Sequence, residues 1–355
     1  MIIYNRNLQV MQDNELQNRI ETIIEKQINF LVTTYGIDKK ILMNKIDDLS
    51  VVTFENDSDK PLYKMINGEM KEFNLNPGSV ACAGQIEQNY TDTKCFMKNA
   101  VFINRNSPEQ IFEHQFIHEL FHHLSNNTEM TFDEKNEALY KSGVLLETCD
   151  KDDNSIYEES RGLNEGITEM LATRLSPQNK GEYRLPVIFA EIIGNNSGNL
   201  LIEAYFSKDK NKIQEFYEDF DQRQTSTSSE QLKTIPATSN YFTIDVELLK
   251  GCLEYATNYC RNIEELTAER KRLLPIFKEL KKDWNIGYSQ ENFDVKQLFD
   301  SVMGERKRFF QGEKSDSKIF TTDEVGKATI NVPVEQKDKA KQVAALDKEV
   351  SDVVK

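Results

Sequence analysis

Residues 114–123 read HQFIHELFHH and hold all four histidines of a 355-residue chain. They lie within SPEQIFEHQFIHELFHHLSNN, residues 107–127, whose opening predicts a helix. Ser107 is a capping residue, Pro108 suits the first helical position and Gln110 completes a capping box, while Ser125-Asn126-Asn127 supplies a stop. On such a helix His118 and His122 stand one turn apart on one face, so both imidazoles can point at a single metal ion. Glu119 is rotated about 100° from His118. That takes it out of direct ligation and sets it beside a water on the ion, where it can act as general base. His114 continues the row, but a straight helix cannot wrap three successive turns around one ion. His123 is turned about 100° from His122. These two are expected at the surface or in support of the ligands.

A catalytic zinc site takes three protein ligands and keeps one position open. With every histidine already in the cluster, the third ligand is a carboxylate or a cysteine from another segment. The stretch GLNEGITEMLA, residues 162–172, offers two carboxylates on a second predicted helix spanning 163–175. Glu165 and Glu169 are four apart and can both face the first helix. Glu165 is expected to ligate zinc. Glu169 is expected to accept a hydrogen bond from the far nitrogen of a zinc-bound histidine, fixing its tautomer and ring angle. The plainer alternative is an ordinary acidic helix face, in a chain with 59 Asp and Glu residues.

HELFH followed by GLNEGITE resembles the gluzincins, the thermolysin-like clan of zinc metallopeptidases, whose pattern is H-E-x-x-H with a downstream G-x-N-E-x-x-[ST]-[DE]. The resemblance covers roughly residues 95–220. It implies His118, His122 and Glu165 as zinc ligands, Glu119 as catalytic base, Glu169 as the residue that orients a ligand, and Asn164 as a contact to the substrate backbone. It also implies a tyrosine or histidine that steadies the tetrahedral oxyanion; Tyr183 is preferred and Tyr157 is the alternative. The interval from His122 to Glu165 is 43 residues, longer than in the thermolysin branch. The segment 143–160 is expected to fill the difference, as a hairpin around DKDDN. The strand NAVFIN, residues 99–104, sits where zincins keep the sheet edge that pairs with an extended peptide; the alternative is a core strand.

Elsewhere, residues 13–48 carry two helical patterns, the first ending at Gly36. SVVTFEN, SVACAGQIEQ and KCFMKNAVFIN read as strands, with a loop at Asn76-Pro77-Gly78 before the last two. Further helical patterns run at 184–193, 198–206 and 210–220, and again through 241–311. Residues 221–240, DQRQTSTSSEQLKTIPATSN, read as a linker or long surface loop. The expected fold class is α+β. A zincin-like catalytic core at 61–220 packs a small mixed β-sheet on the two zinc-binding helices. It is flanked by an N-terminal helical region at 1–60, the linker at 221–240, a helical region at 241–312, and a disordered or solvated tail at 313–355.

A net charge of -15 and a pI near 4.9 argue against nucleic acid or an anionic membrane as partner. No export signal or membrane span is visible, and five scattered cysteines read as reduced thiols. A cytoplasmic protein is expected, with export by a route lacking a classical signal as the alternative. DKDDN has no glycine at the sixth position of a calcium loop and reads as a solvated turn. Cys82 reads as a buried structural cysteine, or as an inhibitory thiolate on the zinc. The expected activity is zinc-dependent hydrolysis of a peptide or protein substrate. Its rivals are a narrow-target, toxin- or effector-type zinc protease, a non-catalytic zinc-binding protein on the same fold, and a different zinc hydrolase such as an amidase.

Overall fold

The computed structural model describes residues 2–5, 14–47, 49–54, 62–66, 69–73, 81–87, 97–104, 109–127, 138–149, 155–177, 183–194, 200–237, 245–284, 294–312, 320–322 and 328–330. The first half runs β1 (Ile2–Asn5), α1 (Asn14–Tyr35), α2 (Lys39–Asp47), β2 (Ser50–Phe54), β3 (Leu62–Ile66), β4 (Glu69–Phe73), β5 (Ala81–Glu87), β6 (Met97–Asn104) and α3 (Glu109–Ser125). There follow β7 (Ala138–Ser142), β8 (Leu145–Cys149), β9 (Ser155–Glu159) and α4 (Arg161–Leu175). Helices α5 (Arg184–Gly194), α6 (Leu200–Phe206), α7 (Asn211–Arg223), α8 (Ser229–Lys233), α9 (Val246–Asn258), α10 (Ile263–Trp284) and α11 (Val295–Phe310) come next. Two short paired strands, β10 (Phe320–Thr322) and β11 (Ala328–Ile330), close the described chain.

The class is α+β. Strands β1, β2, β6 and β5 form a mixed sheet in that order, with β2 parallel to β6 and the two outer pairs antiparallel. In the parallel register Val51 lies opposite Val101, and both are fully buried. The sheet therefore draws strands from 1–60 as well as from the expected core at 61–220. NAVFIN does not form an edge. It belongs to β6, which has β2 on one side and β5 on the other, and its unbroken apolar run VFI suits a strand with neighbours on both sides.

Helix α3 packs on β5 and β6 and against α1 and α2. Phe112, Phe116, Ile117, Leu120, Phe121 and Leu124 are all buried and span about half the circumference of the helix. The remaining arc holds the buried His114 and His118. Each of the apolar side chains contributes about 1.5–3 kcal/mol by leaving water. The C-terminal carbonyls of α3 are satisfied by a side chain from α2, because Lys45 Nζ donates to the carbonyls of Leu124 and Asn126 and to Asn127 Oδ1. In return, His123 Nε2 donates to the Lys45 carbonyl at 2.8 Å. Burial pushes the His123 imidazole down to about 4, against the opposing effect of that hydrogen bond.

After α3, Asn127 N donates to Lys141 O, which leads the chain into β7, β8 and β9, an antiparallel sheet in that order. A two-residue turn, Gly143-Val144, joins β7 to β8, with Gly143 at φ +61°; a primed hairpin turn requires that conformation. The β8–β9 pair is the expected hairpin, while its DKDDN turn lies outside the described residues. So do the Asn76-Pro77-Gly78 loop, the Ser107–Pro108 helix start, the side chains of Gln110 and Cys82, and most of 313–355. Helix α1 ends at Tyr35 and Gly36 takes φ +68°, as its sequence predicts. Cys149, Cys252 and Cys260 are buried. No helix among the described residues is long and apolar enough to cross a membrane.

The chain divides into two compact units. One comprises Met1–Glu159, Ile167–Glu182 and Tyr205–Lys208; the other comprises Ser160–Gly166, Tyr183–Ala204 and Asp209–Lys355. Helix α4 runs from one into the other without a break. In the second unit, residues 221–237 are packed. Ser229 bonds Asp221 through both its N–H and its hydroxyl at 2.6 Å, Thr227 N donates to Gln224 Oε1, and Leu232 and Ile235 are buried. The Ser/Thr/Gln composition that reads as a linker is used here for local hydrogen bonds. Asp245 and Asp294 cap α9 and α11 by accepting from the second and third N–H groups of each helix.

The start of α4 is fixed from within this second unit. Ser160, at φ +69°, donates its N–H to Lys233 O and bonds Tyr217 through its hydroxyl. A Cβ on Gly162 would stand 1.9 Å from Ile235 O, and one on Gly166 would stand 2.3 Å from Pro186 O. Gly166→Ala is expected to cost about 1–3 kcal/mol in urea unfolding through overpacking, with Gly162→Ala at least as costly. A second expectation concerns acid. His123 binds its proton at about 4 when folded and near 6.5 when unfolded, so the unfolded chain takes up more protons between those values and stability falls as pH drops. A loss of up to about 3 kcal/mol is expected across that window, and His123→Gln should flatten it.

Candidate metal centre

The side chains of α3 and α4 converge. One ligand atom from each of His118, His122 and Glu165 lies within 4.8 Å of the others. The two Nε2 atoms of His118 and His122 are 3.1 Å apart, with ring planes at 70°. Two nitrogens held at about 2.0–2.1 Å on a tetrahedral ion stand roughly 3.3 Å from each other, so the imidazole pair matches such a site with little adjustment. Glu165 is half-buried on the first turns of α4, with a carboxylate oxygen within 4.8 Å of a nitrogen of each histidine.

Glu169, one turn further along α4, sits behind the pair. Its Oε2 is 2.8 Å from His118 Nδ1, as its sequence position predicts, and its Oε1 is 2.8 Å from His114 Nε2. All three side chains are buried. Burial raises the Glu169 carboxyl, but the hydrogen bonds from His114 and His118 outweigh it and hold the group down at about 2. Glu169 is therefore an anion that only accepts. His118 carries its hydrogen on Nδ1 and presents a lone pair at Nε2, the atom that faces His122. Two imidazole nitrogens with a carboxylate form a donor set that suits zinc and neighbouring divalent metals.

Behind His122, Thr168 Oγ1 lies 3.5 Å from Nδ1, at the outer limit of a hydrogen bond, and 2.6 Å from the hydroxyl of the fully buried Tyr205. Thr168 is the Ser/Thr position of the downstream motif, and the sequence reading assigned it no role. Nothing in the sequence pairs it with Tyr205 across 37 residues. His114 and His123 are not surface residues, being 4% and 3% exposed. The i, i+4 spacing of His114 ahead of His118 is the signal that places it on the Glu169 side.

The remaining expected residues come from four separate segments of the chain. Glu119 is half-buried on α3 directly after His118. Asn164 is 1% exposed and donates its backbone N–H to Ser160 O, so it is part of the α4 start. Tyr157 lies on β9, 54% exposed, with its hydroxyl donating to Glu159 Oε2 at 2.8 Å. Tyr183 is half-buried just before α5, and its carbonyl accepts the Val187 N–H. Comparison with protein-family models, curated proteins and solved structures found no match to this chain.

Proposed function

We propose that the protein is a zinc metallopeptidase of gluzincin type, with a zincin-like arrangement of its mixed sheet and two ligand-bearing helices. The convergence of His118, His122 and Glu165 within 4.8 Å carries this reading. The Glu169 bond to His118 supports it, because carboxylates behind histidine ligands are a recurring feature of metal sites. In this reading the three side chains hold the zinc, which when bound polarises the scissile carbonyl and makes water more acidic. Glu119 takes the proton of the attacking water and hands it to the leaving amine, two transfers suited to one carboxylate beside the ligands. Glu169 keeps His118 in a single tautomer throughout. Tyr183 is the preferred donor to the developing oxyanion, Tyr157 the alternative, and Asn164 the contact to the substrate backbone. The substrate is a peptide or protein.

Metal analysis of the pure protein is expected to give about one zinc per chain, lost in Glu165→Ala. Glu119→Gln should keep its zinc and lose at least about 100-fold in hydrolysis of casein. Full zinc in Glu165→Ala would sink the ligand assignment. Unchanged hydrolysis in Glu119→Gln would sink the peptidase. Cleavage profiling of a proteome, run beside casein, separates broad from narrow specificity.

A further inference from the structure

The histidine row on α3 has three members at four-residue spacing, of which only His118 and His122 belong to the ligand triad. His114 is buried just as deeply as His118, and an imidazole in such a place costs desolvation free energy unless its polar atoms are used. Its Nε2 is 2.8 Å from Glu169 Oε1, while its Nδ1 is buried with no hydrogen-bond partner among the described residues. Because the carboxylate only accepts, the hydrogen must be on Nε2. A hydrogen on Nδ1 would be a buried donor with nothing among the described residues to receive it, so Nε2 is the position the site uses. Both oxygens of Glu169 are thus engaged, one by each histidine.

The last torsion of a glutamate is soft. A carboxylate bonded only through Oε2 could swing away from His118; a second N–H at Oε1 removes that freedom. We propose that His114 is a positioning residue of the metal site. By anchoring Oε1 of Glu169, it fixes the tautomer and ring angle at which His118 offers Nε2 to the metal. It acts through Glu169 and does not touch the ion. This rests on the metal-site reading above and extends it from the five-residue HELFH motif to the nine residues HQFIHELFH, 114–122.

Two measurements test it. The first uses the wild-type protein labelled with 15N-histidine, whose four imidazoles can be assigned in long-range 1H–15N spectra. His114 is expected as the Nε2–H tautomer and His118 as the Nδ1–H tautomer, and a hydrogen on Nδ1 of His114 overturns the proposal. The second is zinc affinity by competition with a chromophoric chelator. His114→Phe, which fills the space without a donor, should lose about 10–100-fold. His114→Gln, whose amide can donate to Oε1, should stay within about threefold of wild type. Wild-type affinity in His114→Phe overturns the proposal, as does a His114→Gln variant as weak as His114→Phe. A wild type that binds no zinc overturns the metal reading and this proposal together; a zinc-binding wild type with an unaffected His114→Phe overturns this proposal alone. Should His114→Phe fail to fold, the wild-type tautomers decide the matter.

Discussion

The hydrogen bond from His118 Nδ1 to Glu169 Oε2 joins the two helices on which the candidate chemistry depends. It is buried at both ends, where an unmade bond would leave one oxygen of the carboxylate without its partner. Its geometry constrains much else. Glu169 can reach α3 only if α4 is set in one rotation, and that same rotation directs Glu165, one turn earlier, toward the imidazole pair. Glu169 is in turn kept anionic by the histidines it serves.

The rotation of α4 is set by backbone packing as much as by polar contacts. Gly162 and Gly166 lie one turn apart on the helix, where Ile235 O and Pro186 O come too close for any side chain. Ser160 turns the chain into α4 through a left-handed conformation held by Lys233 O and Tyr217. The GLNEGITE motif therefore serves two purposes on one helix. Its carboxylates and threonine face the chemistry, and its glycines allow the close approach that holds them there. At the other helix, α3 buries its apolar half, and Lys45 meets the carbonyl of Leu124 at its end.

Much of the fold was legible in periodicity. The apolar spacing of residues 15–36 and 163–175, and the β-rich runs at 50–54, 81–87 and 97–104, all correspond to elements. Local patterns failed where the partner was distant. Strand β1 exists through its pairing with β2, and four residues carry too little pattern to be recognised alone. The hairpin of β7 and β8 rests on Ser142-Gly143-Val144, a turn signal that is weak in isolation. The polar run 221–237 looks solvated until Asp221, Gln224 and Glu254 are seen to absorb its donors.

By itself the sequence determined which side chains could act together on each helix. The spacing of His118 and His122, and that of Glu165 and Glu169, follows from 3.6 residues per turn and needs nothing else. Only the tertiary structure decided what faces what. It brought Glu165 to the histidines and turned His114 inward to the second oxygen of Glu169. It buried His123 against the Lys45 carbonyl and placed Tyr205 behind Thr168. Helical spacing is a local property of the backbone. The angle between two helices is set by packing among residues far apart in the chain, and no short stretch of sequence carries it.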